Sequence, residues 1–234
     1  MVKYLPLFSA FIGAIVAQVL SHWFSLKREK EKEAKTIYQE IIAPNLYEIL
    51  SLLETQIKIP YKKGYVVEKK IDIQNIITNI SIKISYGNSK LMSSVLKHNS
   101  LVAVFDEKEK EIEASRLSIC FFFLDYSLDI LKSSKIEDDV IYSYIKSSQK
   151  LYGIWTLLTD IFGLEQSTRI MHNSKLWSKR FLNNYTCEVL EGLILANDIN
   201  SEDLSFLISV LKDETLEITT DNEIIDILDK YLLY

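Results

Sequence analysis

Asn79-Ile80-Ser81-Ile82-Lys83-Ile84-Ser85-Tyr86 is the stretch on which the fold class turns. It alternates strictly between polar and apolar residues, as a half-buried strand does. The same region also carries Ile73, Ile76, Ile77, Ile80 and Ile84 at spacings of three and four, which make one helix face. A strand needs neighbours to satisfy its backbone, and no obvious partner strands exist elsewhere in the chain. The expectation is therefore helix here, and an all-helical domain with it. Composition agrees. Six Gly and three Pro in 234 residues are too few for a turn-rich β architecture and suit long helices with short connections.

Working outward toward the C-terminus, Lys62-Lys63-Gly64 reads as a turn, and Asn88 or Ser89 opens a helix to about His98. Residues 107–131 form a long helix, with Ile119, Phe122, Phe123, Tyr126 and Ile130 as its buried stripe. Ser134-Lys135-Ile136-Glu137 has the spacing of a capping box and opens a helix to about Phe162. Residues 175–196 read as one further helix, and two shorter ones begin at Ser201 and Asp221. Ser93 to Ser100 resembles Ser167 to Ser174 in sequence, but the flanks do not align and the likeness is read as coincidence. Cys120 sits in an apolar run and should be buried. With Cys187 it forms no disulfide framework and fits a reducing compartment.

Working outward toward the N-terminus, apolar periodicity covers Leu46, Ile49, Leu50 and Leu53, and Ala34, Ile37, Tyr38 and Ile41 before them. Pro44 between these sets predicts a kink near Glu40 rather than a stop. Residues 27–35 alternate in sign, with pairs such as Glu31 and Lys35, and read as a solvated helical stalk. Before them, residues 5–26 hold no Asp, Glu, Lys or Arg. At 1.5 Å per residue that run is about 33 Å long, enough for a hydrocarbon core of about 30 Å. Tyr4 and Trp23 suit its interfaces. The run exceeds the apolar core of a signal peptide and has no good cleavage site after it.

The expected fold is thus mainly α: one N-terminal transmembrane helix continuing into a charged helical stalk, then an irregular helical bundle. The divisions are residues 1–26, 27–58 and 59–234. Lys27, Arg28, Lys30, Lys32 and Lys35 outweigh Lys3 and the amino terminus, which places the C-terminal domain in the cytoplasm and the chain, single-pass, in the inner membrane.

Ser9, Gly13, Ala17 and Ser21 recur at every fourth position and form a small-residue stripe, with Gln18 and His22 beside it. Such a stripe lets two spans approach closely, so a homo-oligomer through this helix is expected.

The net charge of −5 is unevenly placed: from Glu188 onward there are 12 acidic and 2 basic residues. The balance excludes a strongly basic nucleic-acid binder, and much of the acidity sits at helix starts, where it offsets the helix dipole. No phosphate-binding loop, dinucleotide fingerprint, nucleophile elbow or zinc motif occurs, so no catalytic residue, metal or cofactor is expected. Asp125 and Asp129, one turn apart beside Tyr126, could bind a divalent cation. They read instead as the solvent face of their helix. Glu165, Arg169 and His172 read as a surface ion pair and its neighbour. Lys175, Trp177, Lys179 and Arg180, with Tyr185, form a candidate patch for an anionic ligand or an acidic lipid surface.

The leading functional expectation is a membrane-anchored module that binds an unknown protein partner or signal. The alternatives are an oligomerising effector that perturbs membrane permeability and, more weakly, a metal-dependent enzyme. The layout resembles a loose class of small bacterial membrane-anchored proteins, some of them effectors or partners in anti-phage systems, but no motif carries the likeness.

Overall fold

A computed structural model describes residues 5–58, 71–104, 108–135, 138–172, 182–183, 185–196, 205, 208–210, 212, 225–226 and 228–229, with the side chains of residues 5–16 and 58 outside the description. Eight helices are described: α1 (Leu5–Ile37), α2 (Ala43–Leu53), α3 (Ile73–Ile82), α4 (Ser89–Val104), α5 (Glu109–Ser133), α6 (Asp139–Phe162), α7 (Leu164–Met171) and α8 (Cys187–Leu195). No strand occurs among the described residues. The expected turn at residues 62–64 and the starts at Ser201 and Asp221 lie outside the described residues, although Ser205, residues 208–210 and Ile225 are helical.

The ambiguous stretch is helical. Asp72 caps α3, its carboxylate accepting from the Gln74 N–H at 2.9 Å. Ile76, Ile77 and Ile80 are buried, while Ile82 is 74% exposed. A strand would have placed Ile80 and Ile82 on one face. Ile84–Tyr86 adds a 3-10 turn, and α4 then runs to Val104, well past the expected end at His98.

Helix α5 is the centre of the bundle. Phe121, Phe122 and Phe123 are all buried and point in successive directions about 100° apart, so one apolar stripe cannot describe this helix. It pairs most extensively with α6, and α1, α3, α4 and α7 also lie against it. Its polar side is narrow and contains Asp125 and exposed Asp129, as expected.

Two helix boundaries differ from expectation. Ser134 ends α5 instead of capping α6: its N–H bonds the Ile130 carbonyl and its hydroxyl the Leu131 carbonyl. Lys135 then takes a φ of 57°, which turns the chain. The cap of α6 is Asp138, whose Oδ1 accepts from the N–H groups of Val140 and Ile141 at 2.8 and 3.1 Å. The carboxylate wins because it is the group at the start of the turn, where it meets two free donors. Residues 175–196 are not one helix. Thr186 is extended and caps α8 through the Val189 N–H, so α8 begins only at Cys187.

Helix α1 continues into the bundle without a loop. A π-helical turn, Tyr38–Ile42, joins it to α2, the Ala43 N–H reaching back to the Tyr38 carbonyl. As expected, the helix does not stop at Pro44, and the irregularity near Glu40 is this π turn, which has a cause. Pro44 cannot donate to the Glu40 carbonyl. That carbonyl accepts from Lys83 Nζ at 2.9 Å instead, and the same ammonium pairs with the Glu40 carboxylate at 2.7 Å. Asn45, buried, turns its side-chain amide to the Ile41 carbonyl at 2.8 Å.

The charged stretch is less free than a solvated stalk. Ala34 is buried, and Glu31 pairs with Lys135 at 2.5 Å rather than with Lys35. Among the described residues, no helix is long and apolar enough to cross a membrane. The expected span begins at Leu5, and its side chains before Ala17 lie outside the described residues.

Candidate functional site

Three regions bear on function: the free end of α1, a polar chain across α4, α5, α6 and α8, and a cleft between α2 and α7.

On α1, Ala17, Gln18, Ser21 and His22 are exposed, while the side chains of Ser9 and Gly13 lie outside the described residues. Val19, Leu20, Trp23, Phe24 and Leu26 are exposed as well, with Val19 61% accessible. Trp23 and Phe24 meet edge to face at 5.1 Å, and Lys27 Nζ lies 5.5 Å from the Trp23 ring centroid. The turn from Trp23 to Lys27 therefore holds an aromatic pair and a cation side by side, where uncharged sequence gives way to charged.

The carboxylate of Asp125 is engaged by neighbouring side chains. Asp125 Oδ1 accepts from Gln149 Nε2 at 3.0 Å, and its other oxygen lies 3.8 Å from Lys90 Nζ. Lys90 pairs with Glu191 at 2.7 Å, which raises its pKa against the opposing effect of burial. Gln149 Oε1 in turn accepts from the Cys187 thiol at 3.3 Å. This chain of contacts runs from α8 through α6 and α5 to α4 and back to α8, so its evident work is to fasten α8. Burial first, and Asp125 second, raise the pKa of Asp129. Among the described residues, no group of three or more His, Cys, Asp or Glu is placed to hold a metal ion.

Both cysteines are free and buried, and burial pushes the Cys120 thiol up to about 12. Such a thiol is inert at neutral pH. His172 does not form a site with Glu165. Its Nε2 lies 3.0 Å from the Gln56 carbonyl, tying the end of α7 to a second π-helical turn, Glu54–Lys58. His98 is buried, with Nδ1 2.7 Å from the Ser115 hydroxyl. The candidate patch Lys175, Trp177, Lys179 and Arg180 lies outside the described residues, and Tyr185 beside it is buried. The neighbouring acidic stretch sends Glu191 to Lys90, while Lys212 pairs with Asp229.

The cleft was not anticipated from sequence. It has a volume of about 540 Å³ and lies where the Glu54–Lys58 turn, the start of α3, α5, α6 and α7 converge. Leu52, Ile73, Leu117 and Trp155 contribute apolar wall; Asp72, Glu113 and Arg116 contribute charge. Arg116 Nη1 donates to Glu113 Oε1 at 2.6 Å. Burial raises the Glu113 pKa, with Arg116 opposing. Two donors here have no acceptor: Arg116 Nε and Trp155 Nε1 are both shut off from water and unpaired. Trp155 is 3% exposed and stacks on Tyr152 at 6.0 Å. An unsatisfied buried donor costs about 1–3 kcal/mol, and since both atoms are closed to water, neither N–H opens into the cleft.

The residues concerned are separated by as many as a hundred positions, and no local motif joins them. Their only sequence signature is a Trp and an Arg at core-facing positions. No known protein family, curated protein or solved structure matches this chain.

Proposed function

We propose that this chain is a membrane-anchored helical module. In this reading α1 holds the body of α2–α8 against the inner face of the cytoplasmic membrane, where the body binds a protein partner. The observation that carries the proposal is the uncharged run at residues 5–26 of one unbroken helix, ending in exposed Val19, Leu20, Trp23, Phe24 and Leu26. Uncovered apolar residues in such density mark a surface that has a partner. The abrupt change to Lys27, Arg28 and Lys30, with an aromatic pair at the junction, is what a lipid–water boundary selects. The small stripe Ser9, Gly13, Ala17 and Ser21, with Gln18 and His22, is the face through which two spans associate in this proposal.

Exposed Val140, Ile141, Tyr142 and Tyr144 on the first turns of α6 offer the body an apolar landing surface for the partner. The absence of a recognised catalytic constellation makes binding the simpler reading.

Two measurements test the anchor. The full chain should sediment with membranes and resist carbonate extraction, and external protease should leave the body intact in whole spheroplasts. Ile15→Lys places a charge mid-span at a cost of about 2.5–3.5 kcal/mol and should shift the chain toward the soluble fraction. A wild-type chain found wholly in the soluble fraction, or a body digested from outside, refutes the proposal.

A further inference from the structure

Val140 and Ile141 open α6 with 78% and 47% of their surfaces exposed, and Tyr142 follows at 41%. Large apolar side chains left uncovered side by side mark a surface that has an occupant. We propose that the occupant of Val140 and Ile141 is lipid: the start of α6 rests in the headgroup layer of the same bilayer that holds α1. The inference rests on the anchor reading and adds a second point of membrane contact to it. It also divides the α6 surface. Val140 and Ile141, at its upper end, meet lipid, and Tyr142 and Tyr144, further along α6, remain for the protein partner.

The height of this surface is set by contacts between α1 and α5. Glu31 of α1 pairs with Lys135, just past the end of α5, at 2.5 Å. Tyr126, earlier on α5, shares a groove with Glu33 and Ile37, further along α1. Helix α5 therefore runs antiparallel to α1 and ends toward the uncharged run. At 1.5 Å per residue, Glu31 stands about 7.5 Å beyond Leu26, the last residue of that run. A headgroup layer is about 5–7 Å deep on each side of the hydrocarbon core. The end of α5 thus reaches the outer edge of that layer, and α6 turns back along α5 from there, with Val140 and Ile141 in its first turn.

Charge does not oppose the contact. Lys132 and Lys135 at the end of α5 balance Asp138 and Asp139 at the start of α6, and all four are exposed. Apolar area, rather than headgroup charge, then governs it, and aliphatic side chains with a tyrosine beside them suit that depth. The opposite end of the body supplies a control. His98 of α4 meets Ser115, and Lys90 lies near Asp125, so α4 is antiparallel to α5 and its last residue, Val104, lies at the far end. Val104 is 67% exposed. The 25 residues of α5, about 37 Å, separate the two ends.

The test uses the full chain reconstituted into phosphatidylcholine vesicles, with and without phosphatidylglycerol. Val140→Cys and Val104→Cys are compared; the native thiols are buried, and the wild type gives the blank. One readout is the rate of alkylation by a charged thiol reagent, normalised to the same variant unfolded in urea. The other is quenching of a thiol-attached fluorophore by lipid spin-labelled at the headgroup. The expected result is that Val140→Cys reacts severalfold more slowly than Val104→Cys and is quenched severalfold more strongly, in both vesicle compositions. A Val140→Cys chain that floats with the vesicles but is as reactive and as unquenched as Val104→Cys overturns the inference and leaves the anchor standing. Equal quenching at both positions also overturns it, because the body would then lie flat on the bilayer. Protection that requires phosphatidylglycerol overturns it too, since charge would then be the attraction. A chain that does not float with the vesicles refutes the anchor and the inference together.

Discussion

Gly153 and Gly192 set up a prediction in which the same substitution should have opposite signs. Gly153 lies in the middle of α6, where α6 meets α5 and α8. A Cβ built on it would stand 3.1 Å from Leu190 Cδ1, 3.1 Å from Phe121 Cε2 and 3.2 Å from Leu190 Cβ. Gly153→Ala gains about 1 kcal/mol of helix propensity. Against that, overpacking a tight core costs about 1–3 kcal/mol. The neighbours decide the balance. Leu190 Cβ is fixed by its own backbone, so that contact cannot be relieved by a side-chain rotation, and with Phe121 and Leu190 both fully buried the other two have little space to yield into. The net effect should be destabilisation by about 1 kcal/mol, a fall of about 2–4 °C in melting temperature for a body of this size. Gly192, on α8, has nothing within 4 Å of its Cβ position. Gly192→Ala should raise stability by up to about 1 kcal/mol. Thermal melts of the full chain in one detergent give both values. A double-mutant cycle adds a check. Leu190→Ala alone should cost about 2–5 kcal/mol, and less in the Gly153→Ala background, where the new methyl occupies part of the space. If Gly153→Ala is as stable as the wild type and does not couple to Leu190→Ala, then α8 is not pressed onto α6 as described.

Three further outcomes follow from the caps and buried groups. Lys83→Met keeps the alkyl stem but removes the donor to the Glu40 carbonyl. With this lysine partly exposed, the loss should be about 0.5–1 kcal/mol in a urea titration, and smaller in a Pro44→Ala background, where the carbonyl regains a backbone N–H. Asp138→Ala strips two N–H groups of their acceptor and should cost about 1 kcal/mol by the same measurement; an unchanged midpoint would show that the cap contributes nothing. Burial, and then the Arg116 charge, lower the pKa of His98. The unfolded chain therefore takes up a proton first, so the stability this group supplies is present above about pH 6.5 and falls as pH drops through and below that value. The wild type should lose more stability than His98→Gln between pH 7.5 and 5.5, and parallel pH profiles would show that His98 is not the group responsible.

Much of the helical architecture could be read from the chain because its evidence is local. Spacing at Ile73, Ile76, Ile77 and Ile80 outvoted the alternation around Ser81, and the near absence of partner strands was the deciding fact. Pro44 announced an irregular turn near Glu40, since a missing N–H acts within one turn. The partner that relieves it, Lys83, lies 43 positions away, and distance in sequence hid it. Boundaries failed where two caps competed. Ser134 and Asp138 both have the chemistry to start α6, and the choice depended on Lys135 adopting a positive φ. The break at Thr186 escaped because the flanking residues keep a helix-like pattern through it. The cleft was the least legible part: it exists only once five segments meet, and contacts between distant segments leave no trace in residue order.

The loopless passage from α1 through the π turn into α2 makes helical phase a steering variable. One residue inserted between Leu26 and the Glu31–Lys135 contact would advance the N-terminal half by about 1.5 Å and turn it by about 100° relative to the body. Whatever surface grips the outer half of α1, the compass heading of the α6 apolar turns around that axis is written in the number of residues between them. A flexible tether would have erased that information; a continuous rod transmits torque and keeps it.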